Sequence, residues 1–300
     1  MTRVLVTGAT GFIGRALVAA LERTQHVVIA ASRSHTDTVL DLTSTASVAA
    51  ALDSAHPDVV VNLAAAATSR EETEFSSVAN VNTVGALRLF EQSQRIGVRR
   101  FIQVGTAMVY GFRADPVDEG TPLAPRGAYA VSKACAWQML QAAQTAAGTQ
   151  LMEARLFNVF GEGNQLPRLD AALYHGAASG QEVRLSAGDQ RRDFLHVEEL
   201  AMCLRGLVDA PDAKFPHGKS INIARGEPTR VRDFAESLGR ALGISHLLRF
   251  GEATQRQDDL YSRGVTWQEL ASGLGLPRLS TLEQRIAQVR PPQRNQRPLS

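Results

Sequence analysis

The chain has 300 residues, 44% of them hydrophobic, which suits one large α/β domain with a smaller lobe, or two modest domains. The formal net charge is +2 and the basic residues do not run in blocks, which argues against nucleic acid as the main partner. Two cysteines, Cys135 and Cys203, exclude a disulfide scaffold and indicate a reducing compartment. No Cys/His cluster has metal-ligand spacing, so we expect no metal site. No apolar run approaches the ~20 residues of a membrane span, and the first strand pattern starts at Arg3, so we expect neither a membrane partner nor a signal peptide. A cytoplasmic protein is the resulting expectation.

Two kinds of sequence pattern alternate through the first half of the chain. Short runs rich in β-branched residues predict strands, and the longer stretches with helical spacing between them predict helices. The predicted strands are residues 4–7, 27–31, 59–63, 101–104 and 151–156, and the predicted helices are residues 14–23, 45–54, 81–96 and 130–147. The alternation predicts an α/β fold: a Rossmann-like doubly wound parallel sheet covered by helices on both faces.

The second half is less regular and predicts a smaller, partly interleaved C-terminal substrate lobe. A helix is predicted at 198–208, a short strand at 220–224 and a helix at 231–241. We assign residues 1–157 to the Rossmann-like domain, which has a return segment at about 195–225. The substrate-binding lobe comprises 158–194 and 226–290, and residues 291–300, rich in Pro, Arg and Gln, form a loose tail.

A glycine-rich turn between the first strand and the first helix predicts a dinucleotide site. The segment reads VLVTGATGFIG, in which Gly8 permits a tight turn, Gly11 lets the backbone approach a pyrophosphate, and Gly14 lets the helix pack close to the strand. The phosphates then lie against free N–H groups at the positive end of the helix, next to Phe12 and Ile13.

The end of the second strand predicts which dinucleotide is bound. Ser32 occupies the position where an acidic side chain would bind the 2′-hydroxyl of NAD, and the guanidinium of Arg33 can pair with the 2′-phosphate of NADP. We therefore favour NADP(H), with NAD(H) as the alternative, and we expect Asp41 to accept a hydrogen bond from the adenine amino group. The other predicted cofactor contacts lie directly after Asp41 or at the end of the third strand: Leu42, Leu63, Ala64 and Ala65.

A tyrosine and a lysine four residues apart predict the catalytic groups. Tyr129 and Lys133 share one face of the predicted helix, so that the ammonium of Lys133, together with a positive nicotinamide, can lower the pKa of the phenol. Tyr129 can then exchange a proton with an alcohol or a ketone while a hydride moves. Thr106 lies where its strand leaves the sheet, and its hydroxyl can hold the substrate oxygen beside Tyr129.

Together these residues resemble the extended short-chain dehydrogenase/reductase family over nearly the whole chain. The resemblance rests on the TGxxGxxG turn, the NLAA segment at 62–65, the set of Thr106, Tyr129 and Lys133, and Asn82, which precedes a helix near the family's active site. It implies an NAD(P)-dependent hydride transfer in which Tyr129, Lys133 and Asn82 also contact the cofactor.

Two further stretches are similar to those of the family's sugar-nucleotide branch. The resemblance implies that Asn158, in RLFNVFG, and Arg192, at the start of RDFLHV, contact the diphosphate of a nucleoside-diphosphate sugar. Arg256 resembles a second diphosphate arginine, and Leu185 is expected to flank the nucleoside base. We also count Met108, two residues past the catalytic threonine, as a substrate contact.

Departures from the family pattern narrow the predicted reaction. Ala107 and Met108 stand where the family's 4,6-dehydratases carry an Asp-Glu pair, so we discount dehydration. Because Ser32 replaces the acid typical of epimerases that hold NAD tightly, we favour a 4-ketoreductase that draws on NADPH. The segment TAMVYG nevertheless looks epimerase-like, so a 4-epimerase is the alternative.

Two other interpretations are less favoured: a reductase of a ketone without a nucleotide, and a dinucleotide sensor without catalytic activity. The predicted helices at 81–96 and 130–147 resemble the pair that forms a four-helix dimer interface in this family, so we expect a homodimer.

Overall fold

Strands and helices alternate along the chain in the structure, a computed structural model that describes residues 1–66, 74–113, 115–144, 148–164, 168–254, 260–261, 265–276 and 278–291. The strands are β1 (Arg3–Thr7), β2 (Val27–Ser32), β3 (Thr38–Val39), β4 (Val59–Asn62), β5 (Arg100–Thr106), β6 (Gln150–Leu156), β7 (Asn158–Phe160), β8 (Val183–Leu185), β9 (Arg191–Arg192), β10 (Phe194–His196), β11 (Ser220–Ile223), β12 (Thr229–Arg230) and β13 (Leu248–Phe250). The α-helices are α1 (Phe12–Glu22), α2 (Thr45–Ala55), α3 (Phe75–Ala79), α4 (Ala86–Arg95), α5 (Gly127–Ala142), α6 (Leu169–Ser179), α7 (Val197–Asp209), α8 (Val231–Ala241), α9 (Val265–Gly273) and α10 (Leu282–Ile286). A π-helical turn spans Asn80–Gly85, and 3₁₀ turns span Ala107–Tyr110, Asp212–Lys214 and Ser245–Leu247.

Seven parallel strands form the main sheet, in the order β3-β2-β1-β4-β5-β6-β11. From β1 the chain winds first towards β3 and then, starting at β4, in the opposite direction. The carboxyl ends of β1 and β4 therefore flank the point where the strand order reverses, which is where open α/β sheets bind ligands. The predicted doubly wound parallel sheet is confirmed.

The sheet is buried on both faces because its strands are continuously apolar. Val4, Leu5 and Val6 of β1 are 0% exposed, as expected for a central parallel strand. On one face, the side chains of α1 and α7 pack against the sheet around Leu17 and Leu204. On the other face, α2, α4 and α5 cover it.

A second apolar cluster forms around α6, α8 and α10, with the short pairs β8–β13 and β7–β10 beside it. Phe234 of α8 lies near its centre and stacks on Phe194, with ring centroids 3.8 Å apart. The chain returns to the main sheet through α7 and β11, which pairs with β6. Among the described residues, no helix is both long and apolar enough to cross a membrane.

Two of the predicted helices differ from those in the structure. The helix predicted at 81–96 is interrupted, because α3, the π-helical turn and α4 follow one another from Phe75 to Arg95. The helix predicted at 130–147 begins earlier, at Gly127, and ends at Ala142, while residues 145–147 lie outside the described residues. The predicted tail at 291–300 also lies outside them, apart from Pro291.

Candidate active site

The glycine turn joins β1 to α1 at the carboxyl edge of the sheet. Gly8 has a φ of +64°, and a Cβ placed there would lie 3.0 Å from the backbone nitrogen of Ala64, which follows β4. A Cβ at Gly14 would overlap the carbonyl oxygen of Gly8 and lie 2.8 Å from Cα of Ala9. Glycine is therefore required at both positions, because the two chain segments approach each other too closely for a side chain.

The residues around this turn fit the pyrophosphate of a dinucleotide. In the part of the chain that the structure describes, no side chain caps the start of α1 at Gly11, so the N–H groups of its first turn face the crevice with the positive end of the helix dipole. Phe12 and Ile13 begin the helix and are half-buried. The turn is held by Arg15, whose guanidinium donates to the carbonyl oxygens of Thr10 (2.7 Å) and Gly163 (3.0 Å).

The end of β2 and the segment after β3 form the neighbouring part of the crevice. The hydroxyl of Ser32, which is 8% exposed, donates to the carbonyl oxygen of Ser34, whereas Arg33 is exposed. Asp41 accepts hydrogen bonds from the N–H (2.9 Å) and the hydroxyl (2.8 Å) of Thr43. These two bonds, followed by the charges of Arg33 and Arg88, lower the pKa of Asp41, while Leu42 beside it is buried.

The side chain of Asn82 connects the segment after β4 to α5 through hydrogen bonds. Its side-chain oxygen accepts from the backbone N–H of Ala66 (2.8 Å), and its amide group donates to Ala66 (3.0 Å) and to the hydroxyl of Ser132 (3.0 Å). The π-helical turn that carries Asn82 is a common feature of functional sites. Leu63 and Ala64 are half-buried along this segment, and Ala65 is exposed.

The three predicted catalytic residues lie around the carboxyl end of β5. Thr106 ends the strand and is 7% exposed; its oxygen accepts a hydrogen bond from the N–H of Met108 at 3.3 Å, which leaves its own hydrogen as a donor. Lys133 is 3% exposed, and its Nζ donates to the carbonyl oxygen of Val104 at 3.0 Å. The same Nζ lies 6.0 Å from the ring centroid of Tyr129, one helical turn away.

Burial is the main influence on the pKa values of Tyr129 and Lys133. Burial raises its pKa, and the charge that opposes this rise is that of Arg168, at the start of α6, and not that of Lys133. Burial also lowers the pKa of Lys133 to about 8, although the nearby carboxylate of Glu153 raises it. The lowering expected from Lys133 together with a positive nicotinamide stays a prediction, because the raised pKa reflects the burial of the phenol among the protein's own groups.

A chain of buried hydrogen bonds connects the glycine turn with the catalytic lysine. The N–H of Ala64 donates to Thr7 (3.2 Å), Thr7 to Asn62 (2.6 Å), Asn62 to Gln103 (2.9 Å), and Gln103 to the carbonyl oxygen of Val104 (3.2 Å), which also accepts from Lys133. The dinucleotide turn and the catalytic helix are thereby held to the same strands of the sheet.

Three of the predicted substrate residues lie on the short strands β7, β8 and β9, outside the main sheet. Asn158 and Phe194 are paired across β7 and β10, and the side-chain amide of Asn158 donates to the carbonyl oxygen of Asp193 at 3.2 Å. Arg192 is half-buried, and its Nη1 donates to the carbonyl oxygen of Arg191 at 2.8 Å. Leu185 is only 8% exposed and packs in the apolar cluster of the lobe.

The other two predicted substrate residues are Met108 and Arg256. Met108 is half-buried directly after the catalytic threonine, whereas Arg256 lies outside the described residues.

Sequence reasoning missed two charged residues that act on the catalytic pair, Arg168 and Glu153. A glutamate inside the otherwise apolar start of the predicted strand at 151–156 was an available signal, because a charge in a central strand has to be paired. Arg168 offered no comparable signal, since its distance from Tyr129 depends on how α6 packs.

Comparisons with known proteins give a matching family model, relatives, and solved structures of the same fold. The family model described as "NAD dependent epimerase/dehydratase family" matches residues 4–224. A 2′-dehydrokanamycin reductase from Streptomyces kanamyceticus is 27% identical over 246 residues, which are 80% of this chain and 67% of that protein. The structure of MoeE5 in complex with UDP-glucuronic acid and NAD is similar, with a TM-score of 0.81, 25% identity, and coverage of 95% of this chain and 96% of that chain. The structure of RMD from Pseudomonas aeruginosa complexed with NADPH shares the fold, with a TM-score of 0.79, 23% identity, and coverage of 96% and 97%.

Proposed function

Because this chain belongs to the NAD-dependent epimerase/dehydratase family, and is thus an NAD(P)-dependent enzyme, we propose that it is an NADP(H)-dependent 4-ketoreductase of a nucleoside-diphosphate 4-keto-sugar. The observation that carries the proposal is the set of Thr106, Tyr129 and Lys133 around the carboxyl end of β5, with the pKa of Tyr129 raised by burial.

The mechanism follows from the state of these three side chains. When bound, the dinucleotide supplies a hydride to the carbonyl carbon. Thr106 donates a hydrogen bond that holds the carbonyl oxygen, and Tyr129 donates its phenolic proton to that oxygen as the C–O π bond is lost. The ammonium of Lys133 stabilises the phenolate that remains until a proton from solvent restores the phenol.

Reduction is supported by the protonated phenol of Tyr129, by one relative, and by the residues that follow Thr106. A tyrosine whose pKa is raised stays protonated at neutral pH and so begins the reaction as an acid, which is what delivery of a proton to a ketone requires. The similarity to 2′-dehydrokanamycin reductase supports the same direction. Ala107 and Met108 carry no acid or base for the elimination of water.

The nucleotide part of the substrate is proposed from the second lobe. Asn158 and Arg192 lie next to the Asp193–Phe194 segment, and an arginine and an amide together offer donors to a diphosphate. MoeE5, whose structure resembles this chain, was solved with UDP-glucuronic acid. We therefore propose a nucleoside-diphosphate sugar as the substrate.

A second candidate is a reductase of a ketone that carries no nucleotide. It is favoured by the similarity to 2′-dehydrokanamycin reductase. It is also favoured by the hydrogen bonds that the side chains of Asn158 and Arg192 donate to backbone carbonyl oxygens, because these bonds must be exchanged before the same atoms can bind a diphosphate.

Tyr129→Phe tests the chemistry. NADPH consumption is measured with a panel of 4-keto-sugars linked to UDP, dTDP or GDP, and with ketones that carry no nucleotide. We expect Tyr129→Phe to lose at least about 100-fold in kcat while the affinity for NADPH, measured by fluorescence, is retained. Unchanged turnover in this variant would overturn the proposal, and formation of a sugar epimer without net consumption of NADPH would assign the protein as a 4-epimerase.

Arg192→Ala tests the substrate class. We expect it to raise KM for nucleotide-linked substrates with cofactor affinity unchanged, because the guanidinium is assigned to the diphosphate. Arg191→Ala, at the exposed neighbouring position, is the matched control. An equal KM for wild type and Arg192→Ala would favour the substrate without a nucleotide.

A further inference from the structure

One line of polar side chains crosses the middle of the main sheet. Five neighbouring strands contribute one residue each at positions that are paired in register, and we call them the polar row: Thr7, Asn62, Gln103, Glu153 and Ser220. Phe101 and Leu151, two residues before Gln103 and Glu153, pack with side chains of α5. Because side chains alternate along a strand, the polar row lies on the face that the catalytic helix covers.

Glu153 is the charged member of the polar row. It is 1% exposed, and its Oε2 accepts from Nε of Arg155 at 2.7 Å and from the hydroxyl of Ser220 at 2.7 Å. A Cβ placed on Gly105 would overlap its carboxylate, lying 2.8 Å from Cδ. Glycine at 105 therefore makes room for this carboxylate against the backbone of β5.

The ammonium of Lys133 is held by the same stretch of backbone. Its Nζ donates to the carbonyl oxygen of Val104, which directly precedes Gly105. The negative charge of Glu153 and the positive charge of Lys133 thus adjoin consecutive residues of β5, and both side chains are removed from water. Burial raises the pKa of Glu153, and the charge of Arg155 and then that of Lys133 oppose this rise. Burial lowers the pKa of Lys133, and the charge of Glu153 opposes that shift.

We propose that Glu153 is a positioning residue that acts as the buried counter-charge of Lys133 and keeps its amine protonated beside Tyr129. Without the opposite charge the amine would lose its proton at a lower pH, because a buried charge without a partner is disfavoured. The inference rests on the function proposed above for Tyr129 and Lys133.

The groups that surround this pair come from several elements. They are Tyr129 on α5, Arg155 on β6, Ser220 on β11, and Tyr110, which follows β5 and whose hydroxyl accepts from Nη1 of Arg155 at 2.9 Å. Arg155 is a second cation on the same carboxylate. A role for Glu153 limited to pairing with Arg155 would leave the titration of Lys133 unaffected, and this difference can be measured.

The chain has only three lysines, so Lys133 can be observed directly. With ¹³C-labelled lysine, the NMR signals of Lys133 and of the exposed Lys214 and Lys219 can be followed against pH. We expect the midpoint of Lys133 to fall by about one pH unit in Glu153→Gln, because the opposite charge is removed. Glutamine keeps an oxygen that can accept from Arg155 and Ser220.

Enzyme activity gives the second readout. The alkaline decline of kcat for reduction should move to lower pH in Glu153→Gln together with the midpoint of Lys133, while NADPH affinity at pH 6.5 stays within about twofold. Ser220→Ala is the matched control, since it removes one hydrogen bond to the carboxylate and leaves its charge in place. We expect its titration and its pH profile to match those of the wild type.

The outcomes separate this inference from the proposed function. An unmoved midpoint of Lys133 in folded Glu153→Gln overturns the inference, whatever happens to the melting temperature. A moved midpoint in a protein that reduces no ketone supports the Glu153–Lys133 coupling and counts against the proposed function. If Glu153→Gln does not fold, the carboxyl ¹³C signal of Glu153 in the wild type decides, because it must show an inflection at the midpoint of Lys133.

Discussion

Arg33 is the residue on which the proposed cofactor preference depends. It is exposed at the end of β2, while the hydroxyl of its neighbour Ser32 donates to a carbonyl oxygen within the same loop. Arg33 is close enough to Asp41 to lower the pKa of that carboxyl group, so its charge acts at the edge of the proposed adenosine site. A guanidinium placed there can pair with the 2′-phosphate of NADP, a group that NAD lacks.

Arg33→Ala should therefore weaken NADPH binding by about tenfold, which corresponds to one charge-assisted hydrogen bond, and leave NADH binding unchanged. Fluorescence titrations with the two cofactors measure this. Arg240→Ala is the control, since it removes the same charge from an exposed position on α8. Equal losses for NADPH and NADH, or a wild type that prefers NADH, would contradict the prediction.

Single residues could be predicted from the sequence when the chemistry was local. The spacing of Gly8, Gly11 and Gly14 carries its own geometric requirement, and the pair of Tyr129 and Lys133 is one helical turn apart in any helix. The pKa values of Tyr129 and Lys133 could not be predicted in the same way. The burial that raises the pKa of Tyr129 depends on elements distant in sequence.

The start of α7 shows how a buried histidine can end a strand and begin a helix. His196 is 7% exposed, and its Nδ1 accepts from the N–H of Glu198 (3.3 Å) and from the guanidinium of Arg285 on α10 (2.7 Å). A nitrogen that accepts two hydrogen bonds carries no proton, so the imidazole is neutral. Burial, assisted by the charge of Arg285, lowers the pKa of His196 to about 4.

This histidine should make the fold sensitive to acid. Between pH 6.5 and about 4 the unfolded chain binds a proton at His196 that the folded chain does not. The free energy of unfolding therefore decreases as the pH is lowered through this window, by up to about 3 kcal/mol. His196→Asn keeps an acceptor for the helix N-terminus but cannot titrate. Urea unfolding at pH 7 and pH 4.5 should show a smaller loss for the variant than for the wild type.

The neighbouring Asp193 does not interfere with this comparison. Its pKa is raised to about 6 by burial, which has the opposite effect on the pH dependence, but it is present in both proteins. Equal pH dependence of wild type and His196→Asn would show that the imidazole is not the titrating group.

Elements could be predicted from the sequence where their own side chains define them. The predicted helix at 231–241 matches α8, whose buried Phe234 and Leu238 are one turn apart. In contrast, α6 was missed, because small residues such as Gly176 and Ala177 fill its buried face and give little apolar periodicity. The short strands β8, β9, β12 and β13 have two or three residues each and exist only through partners distant in the chain.

At the scale of the whole molecule, the exposed apolar side chains suggest where a second copy binds. Phe75 (61% exposed), Val84 (42%) and Met139 (40%) come from α3, the π-helical turn and α5, which pack against one another. Cys135 is also exposed, one turn before Met139 on α5. Val84 and Met139 lie within the predicted helices 81–96 and 130–147, which are expected from the sequence to form a four-helix dimer interface, and α3 adds Phe75 to the same surface. We propose that a second copy binds here.

Met139→Lys should convert the proposed homodimer into a monomer, because a charged side chain would be buried against its symmetry mate. Size-exclusion chromatography with light scattering measures the mass. Met202→Lys, on α7, is a matched control, since Met202 is 39% exposed and lies on the opposite face of the sheet. A monomeric wild type, or an equal effect of both substitutions, would rule out this interface.

The polar row also bears on how the strands find their alignment when the chain folds. Apolar strands such as β4, which reads VVVN, keep the same faces buried when a neighbour slides by two residues, so their pattern alone does not choose between these alignments. A slide of that size would set Asn62 and Gln103 against valine or phenylalanine and leave buried amide groups unpaired, at about 1–3 kcal/mol each. The polar row near the catalytic lysine thus also disfavours sheets in which neighbouring strands pair two residues out of register.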